Sequence, residues 1–343
     1  MKKINTILAI AAAALFLISA LSYRSSVRRA ERFERGQSFL PNLNPDEIAE
    51  ILIDKGEEST HLRREGDKFV VVGADGYPAK NESVNRFVKD VLKLSLEKEV
   101  GRGEELWKEL ELTGGEESTI EVALEDSNGD EMVRFLVGKV FEDGGSYVRR
   151  ADDETGTAYL TSSRVYLSTG DDDFLDKEIL DVKSEDIAAI EGPGYRFASD
   201  GGSLELADVP AGMKEKTIEV NKVKNGLSYL RFTQHHLADA PEVQDLAFTH
   251  RVTYDMKDGA VYEVEVAERD DKHYLRIRGS HRTPQVQISL EADEEEVKEK
   301  SELLARADEM QRFDDFHGSW IYEVSESTAD KFRGKAPDLV EKA

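Results

Sequence analysis

The feature that most constrains this chain is that one order of short sequence signals occurs twice. Asp46-Glu47-Ile48-Ala49-Glu50-Ile51 returns as Glu185-Asp186-Ile187-Ala188-Ala189-Ile190, 139 residues later. Val84-Asn85-Arg86-Phe87, with Val91 and Leu94, returns as Val220-Asn221-Lys222-Val223, with Leu227 and Leu230, at an offset of 136. Asn128-Gly129 is matched by Asp258-Gly259 at 130, and Tyr147-Val148-Arg149 by Tyr274-Leu275-Arg276 at 127. The offsets shrink steadily, as short deletions would make them. Four matches in one order predict a duplicated unit rather than two unrelated stretches.

Within a copy the elements are legible. Ile51, Ile53, Leu62 and the run from Phe69 to Val72 read as strands around turns at Lys55-Gly56 and Glu65-Gly66. Val84, Phe87, Val88, Val91 and Leu92 fall on one face of a helix, with Asn81 or Ser83 as its N-cap. Ile120, Val122 and Leu124 alternate up to the Asn128-Gly129 turn, and Val133, Phe135 and Val137 return. That is a β-hairpin, repeated as Val252, Tyr254 and Met256 against Tyr262, Val264 and Val266. Tyr147 to Ser168 reads as more hairpin, turning at Glu154-Thr155-Gly156, and Asp171-Asp172-Asp173 opens a short helix or turn. A further helix is expected from Asp293-Glu294 through Met310, its acids suiting the helix dipole, and Trp320 to Val324 is expected as the closing strand. Tight turns between successive strands predict an α+β fold, a tandem repeat of mainly antiparallel sheets each packed against one helix.

Ahead of the repeats, Ile4 to Tyr23 is a run of twenty uncharged residues behind Lys2 and Lys3, long enough to span a bilayer as an N-terminal transmembrane helix. The alternative is a signal peptide cleaved after Ser22, since Ala20-Leu21-Ser22 spaces small residues suitably. The expected organisation is an anchor or signal at 1–23, a basic and polar linker at 24–44, a first repeat at 45–183, and a second at 184–343. Residues 1–35 hold seven basic and two acidic residues, leaving 39 basic against 69 acidic for the rest. So acidic a bulk repels nucleic acid and anionic headgroups, which argues against a nucleic-acid partner. Five arginines follow the apolar run, so a count of positive charges alone would put the bulk in the cytoplasm. The export-like order of basic, apolar and polar segments, and the ease with which long domains translocate, favour an inner-membrane, single-pass protein with an extracytoplasmic (periplasmic) bulk.

Several motifs together resemble a known family: the N-terminal segment, Leu40-Pro41-Asn42-Leu43, the Asp46 to Ile51 strand, Gly76-Tyr77-Pro78-Ala79, Gly145-Ser146-Tyr147-Val148-Arg149, Asp176-Lys177-Glu178-Ile179-Leu180 and Trp320-Ile321-Tyr322. The chain from about 38 to 340 is similar to the bacterial domain of unknown function 4340. Phe69 departs from the pattern, where a tryptophan is expected after Gly66-Asp67-Lys68. The resemblance implies a membrane-anchored extracytoplasmic protein associated with ABC-type transport systems of the gliding-motility kind. The implied partners are the permease and ATPase subunits, and the family brings no catalytic residues to carry over.

The residues themselves point to little chemistry. There is no cysteine, hence no disulfide, thiol nucleophile or Cys-ligated metal. No G-x-S-x-G or phosphate-binding glycine motif occurs, so no nucleotide site of its own is expected, and Gly192-Pro193-Gly194 and Gly201-Gly202 read as turns. His235 and His236 are read at a helix C-terminus, diverging too far to chelate one ion, and His61, His250, His273, His281 and His317 as surface residues. Asp126 to Glu131 fits a hairpin turn better than a calcium loop, and Asp171 to Asp173 a solvated helix start. Trp107, Tyr147, Tyr159, Tyr166, Tyr229, Tyr254, Tyr262, Tyr274, Trp320 and Tyr322 are read mainly as core. The expectation is a non-enzyme with no catalytic, cofactor or metal residues, serving as an auxiliary or scaffold subunit of an ABC-type transporter. The alternatives are a module that binds envelope glycan or peptidoglycan through its tyrosines and, further off, a hydrolase using paired carboxylates.

Overall fold

The computed structural model describes residues 35–153, 155–199, 203–282 and 294–343. The apolar run at 4–23 and most of the linker lie outside the described residues. Among the described residues no helix is long and apolar enough to cross a membrane. The chain divides into two compact units, one ending at Asp176 and the other beginning at Lys177.

The first unit contains β1 (Glu50–Lys55), β2 (Glu58–Glu65), β3 (Lys68–Val71), β4 (Tyr77–Pro78), α1 (Asn81–Leu92), β5 (Leu96–Arg102), α2 (Glu104–Glu109), β6 (Ile120–Glu125), β7 (Glu131–Val140), β8 (Ser146–Arg150), β9 (Thr157–Thr161) and α3 (Asp171–Phe174). The second contains β10 (Glu178–Leu180), β11 (Ile187–Gly192), β12 (Tyr195–Ser199), β13 (Leu204–Leu206), β14 (Met213–Glu215), α4 (Thr217–Lys224), β15 (Leu230–Arg231), β16 (Gln234–Leu237), β17 (His250–Met256), β18 (Ala260–Arg269), β19 (Lys272–His281), α5 (Glu294–His317), β20 (Trp320–Val324), α6 (Glu326–Arg333) and β21 (Val340–Lys342).

The main sheet of the first unit runs β4-β3-β2-β1-β6-β7-β8-β9-β5, and that of the second runs β13-β12-β11-β17-β18-β19-β20-β16. With β4 set aside, the two orders correspond strand for strand, and the pairings in both are antiparallel. The period-two pattern explains it. Ile51, Ile53, Leu62, Val122, Leu124, Phe135 and Val148 share the inner face of the first sheet, and Ile190, Phe197, Val252, Tyr254, Val264 and Leu275 that of the second; all are buried.

Several expectations need correction. Phe39 and Leu40, read as the end of a linker, are buried, and the Phe39 N–H donates to Leu94 O at 2.8 Å. Their counterparts are Ile179 and Leu180 in β10, which pairs with β15, so each copy opens with this short strand-like segment. Helix α1 has neither Asn81 nor Ser83 as its N-cap; the cap is Lys80, whose N–H donates to Phe174 O at 2.6 Å, so main-chain pairing holds its start. The second sheet does not rest on one helix. Tyr254 donates to Val223 O on α4 and meets Phe332 on α6, while Tyr262 meets Phe313 on α5. Finally, β20 does not close the chain, because α6 and β21 follow it.

Candidate functional site

One place where the two copies differ lies beside β3 and its counterpart β13. In the first unit the chain after β3 turns back and adds β4 to the sheet, Ala79 N–H donating to Phe69 O at 2.8 Å and Gly76 N–H to Val71 O at 3.1 Å. In the second unit the chain after β13 instead passes Asp208, which has a positive φ, and Pro210. It then leaves the sheet, and β14 pairs with β21 from the C-terminus. The divergence opens a cleft of about 620 Å³. One wall is the β11–β12 tip, with Gly192, Gly194 and Tyr195; the floor and far wall are Leu206 and Met213, then Ala336, Pro337 and Val340. Glu191, Arg196 and Asp208 stand exposed at its rim.

Tyr195 packs into the wall of the cleft. Its ring lies across Gly192, where a Cβ would come within 2.3 Å of the hydroxyl, so only glycine admits this approach. Tyr195 is 7% exposed, and its hydroxyl is buried with no hydrogen-bond partner among the described residues. Burial holds it protonated, well above the ordinary tyrosine range. An unpaired buried hydroxyl costs about 1–3 kcal/mol, a cost that Tyr195 carries inside the wall of the cleft. In the first unit the matching position is Thr60, whose hydroxyl donates to Thr169 O at 3.0 Å. Opposite Tyr195, the Leu206 N–H donates to Glu215 Oε1 at 2.8 Å. The assembled groups can shelter an apolar side chain, with Glu191 and Asp208 outnumbering Arg196 at the rim. A second hollow of about 550 Å³, in the first unit, is lined by Arg150, Asp152 and Tyr159, and there the arginine is already paired with Asp152.

The residues singled out in the sequence are scattered. His235 and His236 lie on strand β16 rather than at a helix end, so their side chains point to opposite faces. His235 packs edge-on against Trp320, and His236 tilts against Tyr274. His273 and His317 are buried rather than on the surface. His317 shares a 2.6 Å hydrogen bond with the Tyr322 hydroxyl, and burial pushes its pKa down to about 4. Asp126 closes the β6–β7 turn by accepting from Asn128 N–H at 2.8 Å and Asp130 N–H at 3.0 Å, and these bonds lower its pKa. Asp171 to Asp173 form α3. Among the described residues no three His, Asp or Glu side chains converge on a metal position. Of the ten aromatics, Tyr254, Tyr262, Tyr274, Trp320 and Tyr322 are buried, Trp107, Tyr147 and Tyr159 are half-buried, and Tyr166 and Tyr229 are exposed.

Sequence reasoning missed Tyr195 and took the glycines beside it for a plain turn. A signal was present: Gly192-Pro193-Gly194-Tyr195 sets two glycines and an aromatic residue at one strand tip. What was not visible is that β14 departs. The family model described as Domain of unknown function (DUF4340) matches residues 70–247, from the end of β3 to just before β17. No curated protein and no solved structure matches the chain.

Proposed function

Because the chain belongs to the family described as Domain of unknown function (DUF4340), we propose that it is a non-catalytic, membrane-anchored, extracytoplasmic auxiliary or scaffold subunit of an ABC-type transport system. The observation that carries the scaffold reading is the cleft of the second unit. One copy of the fold fills its sheet edge with its own β4, and the other leaves that region open beside an apolar recess. Such a recess serves binding. The uncharged run at 4–23 supports the anchor in this reading, and the resemblance to the family is the ground for proposing the transporter as partner.

The test is purification of the full-length protein from its native membrane in mild detergent, with cross-linking and mass spectrometry. Cross-links from the 35–343 region to a permease are expected; a preparation that enriches neither permease nor ATPase overturns the proposal. Placement is checked separately by protease treatment of spheroplasts, which is expected to cut the bulk of the chain. Full protection of residues 40–343 would put the bulk on the cytoplasmic side.

A further inference from the structure

We infer that the second unit binds an extended peptide segment of its partner, which adds as a strand to the outer edge of β13 and sets an apolar side chain into the adjoining cleft. The inference rests on the scaffold reading and names the chemistry of the partner. The first unit shows what this sheet edge accepts. There Phe69 and Val71 present their carbonyls outward and receive the Ala79 and Gly76 N–H groups of the β4 segment. Phe69 and Val71 correspond to Leu204 and Leu206, because Leu62 pairs with Val71 and its counterpart Phe197 pairs with Leu206. Among the described residues no strand lies along the outer side of β13. Its inner side is committed to β12, with Ala207 N–H donating to Arg196 O, so Leu204 and Leu206 aim their main-chain groups outward.

Two details favour a peptide over a compact small molecule. The outward Leu206 N–H is met by the Glu215 carboxylate, an acceptor standing where a neighbouring strand would place a carbonyl. Next to it the cleft offers apolar walls from Leu206, Met213, Val340 and the side of Tyr195. Main-chain pairing with a side chain in a neighbouring pocket is the mode of strand addition to sheet edges. Glu191 and Asp208 outnumber Arg196 at the rim, and that excess of acid favours a basic residue flanking the apolar one.

The experiment uses the full-length protein in detergent and a phage-displayed library of random dodecapeptides. Enrichment of sequences with an apolar residue in alternation and a nearby Lys or Arg is expected. The best peptide is then resynthesised with N-methyl groups on alternate backbone amides, once in each register. Methylation in one register is expected to weaken binding at least tenfold and in the other to leave it within about twofold, since only every second amide faces the edge. Met213→Trp, which fills the cleft, is expected to weaken binding tenfold with an unchanged melting temperature. No enriched peptide, or equal tolerance of methylation in both registers, overturns the inference. A permease recovered by cross-linking while no peptide binds would remove this inference and leave the scaffold reading standing. Peptide binding without any permease would do the reverse.

Discussion

The two units carry the same eight-strand order yet solve three equivalent positions differently. On the inner face, Thr60 satisfies its hydroxyl on Thr169 O, whereas the Tyr195 hydroxyl has no partner among the described residues. On the outer face, Leu136 lies between Glu121 and Arg149 in an apolar cluster with Leu110, Leu112 and Ala158. Its counterpart Glu265 lies between Arg251 and Arg276, accepting from Arg251 Nη2 and Arg276 Nε at 2.7 Å each. Burial opposes ionisation of Glu265, but these arginine bonds hold its pKa below the usual range. Even so, the outer arginine keeps its ring partner in both copies: Arg149 stands 4.3 Å from Trp107, and Arg276 4.4 Å from Phe248. Third, a short hairpin turn joins β8 to β9, while the helix α5 intervenes between β19 and β20. Topology therefore rides on the inner-face alternation, and the outer face and sheet edges are free to change chemistry.

The largest effect that would test this comparison is at the outer face. Leu136→Ala should cost the first unit about 3–4 kcal/mol, since it empties a cluster whose members are almost fully buried. Glu265→Leu, which copies the first unit into the second, should stay within about 1 kcal/mol because both arginines reach solvent. Urea denaturation resolves the pair; equal costs would mean that the two outer faces are held together in the same way.

Next in size is the acid sensitivity of the second unit between pH 6.5 and about 4. The folded chain keeps His317 neutral down to about pH 4, whereas the unfolded chain protonates it near 6.5. Stability present at neutral pH is therefore lost as pH falls through that window, by about 3 kcal/mol in total. His317→Gln should flatten this part of the profile, and an unchanged slope between pH 6.5 and 4 would show that His317 does not set it.

The smallest pair has opposite signs. Tyr195→Phe removes an unpaired buried hydroxyl and should stabilise the second unit by about 1 kcal/mol. Thr60→Val breaks a satisfied bond and should destabilise the first by about 1 kcal/mol. Thermal melts of the two variants check the signs, and destabilisation by Tyr195→Phe would mean that its hydroxyl is already satisfied in solution.

Much of the fold was legible because it repeats a local period. Ile120, Val122 and Leu124 announce a strand, Asn128-Gly129 announces its turn, and both hairpins stand where these signals put them. Val84, Phe87 and Val91 mark α1 as plainly. The misread elements share a cause. His235 and His236 sit on a strand because Tyr322 and Ile321 of β20, far along the chain, pair with them. Helix α4 ends at Lys224, earlier than the leucines Leu227 and Leu230 suggest. Asn225 caps Asn221 O through its side chain, and Lys331 of α6 donates to Ser228 O.

Sequence alone determined the α+β class, the antiparallel hairpins and the family, because alternation, turn chemistry and short motifs are properties of neighbouring residues. Only the tertiary structure decided that β14 abandons its own sheet for β21, 125 or more residues away, and that Tyr195 and the edge of β13 thereby border a cleft. The choice of a distant strand over a near one depends on what the whole unit can bury and hydrogen-bond at once, and no local pattern records that comparison.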